Sequence, residues 1–198
     1  MWAGGRFAFT RPLRVGDAVT RRSTIERVDA KHGRSGALVF VTVRHEVKGS
    51  KGTCLAEEHD IVYRDNPEPG AAAAIPPLAR TDEEFSRAIT PDPVLLFRYS
   101  ALTFNGHRIH YDRSYVTEVE GYPGLIVHGP LIATLLVDLL RRELPDAVLT
   151  QFEFKAASPL FDIHPFTVCG KREADGGIAL WARNHLGQLA MSAHAVIR

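Results

Sequence analysis

FRYSALTFNGHRIHYD (Phe97–Asp112), followed after a short spacer by GYPGLIVHGPLIATLLVDLLRREL (Gly121–Leu144), decides how this chain is read. The first part packs Asn105, His107 and His110 into one short span just past an apolar run. The second part reads as a helix. Pro130 suits a first helical position, where a missing N–H costs nothing, and Pro145 stops the run. Between them Leu131, Ile132, Ala133, Leu135, Leu136, Val137, Leu139, Leu140 and Leu144 cover every face, which predicts a helix wrapped by other structure. Arg141 and Arg142 complement the negative end of its dipole. At ~1.5 Å per residue it is about 21 Å long, enough to lie across a curved sheet.

The start of this helix is where chemistry is expected. Backbone N–H groups around His128, Gly129 and Leu131 lack partners within the helix, so they can hold an oxygen that gains negative charge. Gly129 lets a ligand come close to the backbone. On local grounds alone, a Gly-Pro that merely starts a helix explains the pattern equally well. Among the clustered side chains, a histidine such as His110 titrates near pH ~6.5 and can act as acid or base. Asn105 can donate and accept hydrogen bonds but cannot take a proton. Any base here is therefore a histidine. His32, His45, His59, His164, His185 and His194 fall in strands or turns and read as structural. No metal is expected, because His107 and His110 lack a neighbouring carboxylate ligand.

Working outward, 198 residues allow one large domain or two small ones. The balance of 24 Lys+Arg against 23 Asp+Glu leaves no basic stripe, so nucleic acid is not an expected partner. Cys54 and Cys169 lie far apart in strand-like runs and read as small buried hydrophobes in a reducing, cytoplasmic setting. The N-terminus lacks a secretory pattern. The longest apolar run, Leu125–Leu140, is interrupted by His128, Pro130 and Asp138 and is too short for a bilayer span, so no membrane partner is expected.

Residues 1–65 read as strands only, with alternating runs at Phe7–Leu13, Val19–Asp29, Leu38–Val47 and Cys54–Tyr63. Residues 66–80 form a proline-rich linker, and 81–198 the second domain. There Thr81-Asp82-Glu83-Glu84 resembles a helix start, Pro91 and Pro93 end what begins, and Val94–Leu102 reads as a strand. Beyond the central helix come strands at Leu149–Ala156, Phe166–Glu173, Ile178–Arg183 and Leu189–Ile197. A weak repeat links the halves: Phe7-x-Phe9, Pro12-Leu13 and Asp17 match Phe152-x-Phe154, Pro159-Leu160 and Asp162. Chance similarity is the alternative. If the repeat is real, the first copy lacks a helix to cover its sheet, and the chain is expected to be a shortened version of a longer protein.

Phe104-Asn105-Gly106-His107-Arg108-Ile109-His110-Tyr111 resembles the signature of the MaoC-like, or type 2, enoyl-CoA hydratases, usually Gly-Asp-x-Asn-Pro-x-His. The resemblance implies an α+β double hot-dog, an antiparallel sheet wrapped around a central apolar helix, with the first hot-dog degenerate and lacking its helix. Asn105 stands where the family has its catalytic Asp, His107 where it has Asn, and His110 where it has the catalytic His. Gly129, with His128, stands where the backbone amide at the start of the helix holds the thioester carbonyl.

The longer string, with MWAGG and EGYPGLIVHGPL, is similar to a subgroup of mesaconyl-C4-CoA hydratases and mitochondrial-type 3-hydroxyacyl-thioester dehydratases. It implies a hydro-lyase acting on an α,β-unsaturated acyl-CoA, with no cofactor, since coenzyme A belongs to the substrate. A homodimer is also implied. The Asn in place of Asp leaves His110 to move the proton and Asn105 to orient water. A carboxylate on the acyl chain would want a cation, for which His107, Arg108 and Arg98 are nearest in sequence. Dehydration of plain acyl chains, thioester hydrolysis and acyl-CoA binding without turnover are the alternatives.

Overall fold

A computed structural model describes residues 2–33, 36–64 and 75–198. The chain divides into two compact units. The first comprises residues 1–75, 148–155 and 194–198, and the second residues 76–147 and 156–193.

In the first unit the strands are β1 (Trp2–Phe9), β2 (Thr20–Gly33), β3 (Gly36–Gly49) and β4 (Gly52–Arg64). β6 (Leu149–Ala156) joins them, in the order β2-β3-β4-β1-β6, with neighbouring strands antiparallel. The two Phe-x-Phe motifs of the repeat meet here. Phe7 is the register partner of Phe152, with ring centroids 6.2 Å apart. Gly4 permits this approach, because a Cβ at that position would lie 2.7 Å from the Phe154 carbonyl oxygen. Among the described residues this unit holds no helix, and β2 leaves Ile25 and Val28 exposed. The proline-rich segment 66–80 lies outside the described residues up to residue 74, as do Arg34 and Ser35 of the turn before β3.

In the second unit β5 (Phe85–Ile89), β7 (Phe166–Arg172), β8 (Ile178–Arg183) and the start of β9 (Leu189–Ile197) form a sheet ordered β9-β8-β7-β5. Against β7, β8 and β5 packs the central helix α2 (Gly129–Glu143). Leu131, Ile132, Ala133, Leu136, Leu139 and Leu140 are its buried residues. It is not wrapped on every side as the sequence predicts: Thr134 is exposed, and Leu135, Val137 and Asp138 are half-buried. Asp138 bonds Arg87 on β5 at 2.5 Å and Arg142 at 2.8 Å, so a polar edge takes the place of the expected continuous apolar cover. Among the described residues no helix is long and apolar enough to cross a membrane.

Two assignments are corrected. Val94–Leu102 is not a strand but most of helix α1 (Pro93–Thr103). The Asp92 side chain accepts from the Leu95 N–H at 2.9 Å and Pro93 occupies the first turn, so the prolines read as a stop are the start signal. Nor do Thr81–Glu84 open a helix. Their acids pair outward, Asp82 with Arg80 and Lys171, Glu83 with Arg183, and Glu84 with Arg172, and the chain continues as β5. Phe85 and Ile89 are buried while Ser86 and Ala88 are exposed, the alternation of a half-buried strand. Cys54 and Cys169 are buried free thiols, and burial pushes Cys169 up to about 11.

Candidate active site

Every sequence-predicted site residue lies in the second unit, and α1 begins the construction. Its C-cap is Phe104 in the left-handed conformation (φ 53°), with the side chain 97% exposed. A non-glycine residue held there costs roughly 1–3 kcal/mol, a strain found where function fixes the backbone. The turn is held by Asn105 N–H donating to the Ser100 carbonyl at 2.9 Å. The Asn105 Oδ1 then accepts from His107 N–H at 3.0 Å. This orients the Asn105 amide and leaves its NH₂ as the free donor, so one of the two hydrogen-bonding functions expected of Asn105 is already taken.

A 3₁₀ turn, Arg108–His110, follows and buries the His110 ring, which is 7% exposed. Residues 125–127 pass beside it, Ile126 forming an isolated antiparallel bridge with Phe161. Ile126 N–H donates to the Ile109 carbonyl at 3.0 Å, and Val127 N–H to the Leu160 carbonyl at 2.8 Å. Asp162 clamps the start of this segment by accepting from Leu125 N–H at 2.9 Å and pairing with Arg113. Gly124 is required there, since a Cβ would come to 2.8 Å from Asp162 Oδ1.

The clamp gives His110 a fixed tautomer. Its Nδ1 lies 2.7 Å from the Ile126 carbonyl oxygen, which can only accept, so Nδ1 carries the proton and Nε2 keeps the lone pair. Burial lowers the His110 pKa below the usual histidine value; the Ile126 hydrogen bond raises it by less, and His107 lowers it further. The ring is therefore a neutral base at neutral pH.

Against it lies a residue the sequence reading used only for its backbone. The His128 ring stacks on His110 with centroids 3.7 Å apart and planes 16° apart, and it is fully buried. Ser100, on the buried side of α1, lies 2.8 Å from His128 Nε2, while His128 Nδ1 has no partner among the described residues. Burial, then the neighbouring His110, pushes His128 down to about 3, so it stays neutral while His110 does its work. The missed signal was a histidine in the apolar run LIVHGPL, which must find a partner once buried.

His128 is also the N-cap of α2 and makes no side-chain cap bond. Ile132 N–H returns to the His128 carbonyl, Pro130 has no N–H, and the Gly129 and Leu131 amides remain for another acceptor. A Cβ on Gly129 would meet nothing within 4 Å, so this backbone faces open space. The stacked pair thus sits at the positive end of α2, as the sequence predicts for His110.

The remaining candidates divide. The His107 ring is exposed and meets His110 edge-on at 5.8 Å. Arg108 is committed, bonding Asp112 at 2.8 and 3.0 Å and lying 4.1 Å over the Tyr115 ring. Arg98 is exposed, and no described residue pairs with it.

Comparison with known proteins agrees with this geometry. Residues 1–162 match the family described as hydroxyacyl-thioester dehydratase type 2. The chain is 45% identical over 196 residues to mesaconyl-C(4)-CoA hydratase of Chloroflexus aurantiacus, covering 98% of this chain and 68% of the relative. It is 30% identical to the mitochondrial hydroxyacyl-thioester dehydratase type 2 of Schizosaccharomyces pombe, covering 85% of this chain and 63% of the relative. The chain thus spans about two thirds of the length of these curated relatives.

Among solved structures, a MaoC-like dehydratase from Phytophthora capsici superposes with TM-score 0.77 at 14% identity, over 100% of this chain and 71% of that one. A Mycobacterium tuberculosis protein described as a double hot-dog fold superposes with TM-score 0.63 at 16% identity, over 100% of this chain and 75% of that one. At such identities the likeness shows the fold alone, and that fold is the hot-dog. With a sheet packed on an apolar helix and a fixed-tautomer histidine at the helix start, the chain belongs to the hydroxyacyl-thioester dehydratase type 2 family.

Proposed function

We propose that this chain is a hydro-lyase that adds water to the double bond of an α,β-unsaturated acyl-CoA, with mesaconyl-C4-CoA (3-methylfumaryl-CoA) as its substrate. The observation that carries the reading is His110: buried, neutral, Nε2 free, and stacked on the N-cap of α2. In the hydration direction His110 Nε2 takes a proton from water as its oxygen bonds the β carbon. The Asn105 NH₂ donates to that water and holds it. Electrons move through the double bond onto the thioester oxygen, where the Gly129 and Leu131 N–H groups stabilise the enolate. The imidazolium then returns its proton to the α carbon, so His110 ends neutral. No cofactor enters; coenzyme A is carried by the substrate.

A diacid chain needs a cation beside its free carboxylate. Arg98 suits this better than Arg108, whose guanidinium already serves Asp112 and Tyr115; His107 is the alternative. The second reading is dehydration of plain 3-hydroxyacyl thioesters, favoured by the family match and the yeast relative. Incubating the protein with mesaconyl-C4-CoA and crotonyl-CoA, and following the added water by mass spectrometry, separates the two. Higher kcat/KM for the mesaconyl ester supports the diacid reading, and a preference for crotonyl-CoA removes it. Release of free thiol without loss of the enoyl absorbance would mark a thioesterase, and binding without turnover an acyl-CoA-binding protein.

In the same reading the chain is a double hot-dog, with residues 1–65 as a degenerate copy lacking its helix, 66–80 as the linker and 81–198 as the catalytic copy. Its support is a shared strand pattern: β1 neighbours β4, the last strand of its meander, as β6 neighbours β9. A cytoplasmic homodimer completes the proposal.

A further inference from the structure

Away from His110, the sheet of the first unit carries a cluster that hydration does not use. His45 on β3 is the register partner of Glu57 on β4 and of Ser23 on β2, and His59 follows two residues after Glu57. With a strand period of two, His45, Glu57 and His59 lie on one face. One ligand atom from each falls within 4.8 Å of the other two.

We propose that His45, Glu57 and His59 form a binding site for a first-row divalent metal ion of the zinc class. Two imidazoles and one carboxylate are a donor set that holds zinc and leaves further positions to water. Bonds of ~2.1 Å need these atoms only a little closer together than they stand, which side-chain rotation supplies.

Two further observations fit a ligand set rather than a structural one. No described residue hydrogen-bonds the Glu57 carboxylate or the His59 ring, although both are half-buried. The His45 ring, itself buried, is already oriented, its Nδ1 lying 2.8 Å from Ser23 Oγ. A metal ligand needs such a partner on one ring nitrogen to leave the other aimed at the ion. The Trp2 ring covers His59 at 4.2 Å.

One group opposes a cation. The exposed Arg21 guanidinium lies 3.0 and 3.2 Å from the two His45 ring nitrogens and must swing out when the ion enters. The geometry therefore assigns Arg21 the role of a competitor. The site rests on β3 and β4, so an ion there would tie these strands together and raise thermal stability.

Titration of the chelator-treated chain with Zn²⁺ by calorimetry, and with Co²⁺ by visible absorption, tests the site. One equivalent of zinc and a cobalt d–d band are expected, with a raised melting temperature. Glu57→Gln and His59→Ala, checked for folding by circular dichroism, should each weaken binding at least ~10-fold. Arg21→Gln should tighten it. The control is His164→Ala, because the His164 and His185 rings lie 3.8 Å apart and offer zinc another place; this variant should bind as wild type does. No binding, binding unchanged in folded Glu57→Gln and His59→Ala, or loss in His164→Ala would overturn the proposal.

Discussion

Each unit brings two histidines together, and the two pairs are built for different work. In the second unit the rings stack at 3.7 Å, both are buried, and each has one nitrogen matched to a fixed partner: Ile126 O for His110 and Ser100 Oγ for His128. In the first unit the rings of His45 and His59 stand 6.0 Å apart and tilted, beside a carboxylate, with His45 buried and His59 half-buried. The difference lies in what each pair is set against: the start of a helix in one unit, a carboxylate in the other. Where α2 packs on β5, β7 and β8, an imidazole loses water and its lone pair is kept free of protons. Where only strands are present, burial lowers the His45 and His59 pKa values as well, but their rings stand apart beside the Glu57 carboxylate.

Removing the base should break this comparison hardest. His110→Ala is expected to lower kcat for hydration by at least ~10²-fold, read by loss of the enoyl absorbance. The same substitution at His45 should leave kcat within a few-fold of wild type.

Much of this division was legible in the sequence. Alternation placed β3, β4 and β6–β9 closely, because half-buried strands must alternate. The spacing Asn105, His107, His110 followed by Gly129-Pro130 pointed to two stretches that the fold brings together, His110 stacking on His128 at the start of α2. Ser100 and the His128 ring were missed for one physical reason. Val94–Leu102 is apolar enough to pass for a strand, and only as a helix does it bring Ser100 to His128. The cue was Asp92-Pro93, a cap and a first-turn proline, which was read as a helix stop.

Gly129→Ala separates chemistry from folding. A Cβ there meets no protein atom, and alanine favours a helix, so stability should hold or rise slightly. The methyl group would stand where a ligand approaches the amides, and kcat/KM should fall about 10-fold or more, as for a weakened oxyanion donor.

Ser100→Ala should cost about 1–3 kcal/mol in chemical denaturation, because it leaves His128, already unpartnered at Nδ1, with neither ring nitrogen bonded. His128 also predicts an acid limb of stability. Its folded pKa is about 3, while the unfolded histidine titrates near ~6.5. Between these values the unfolded state binds the extra proton, so stability falls as the pH drops from ~6.5 toward about 3. A His128→Gln variant should show a flatter slope over that window.

The smallest effect expected is a displacement of the rate profile. His110 is lowered from the usual histidine value, so its base form persists below pH ~6.5, and hydration should decline only as the pH falls through that lowered pKa.

The most direct test of the account is a ¹⁵N NMR titration of His110 in the folded protein. Its prediction is a neutral ring at pH 7 with the proton on Nδ1, charging only below pH ~6.5. A ring protonated on Nε2 at pH 7, or one already cationic there, would contradict it.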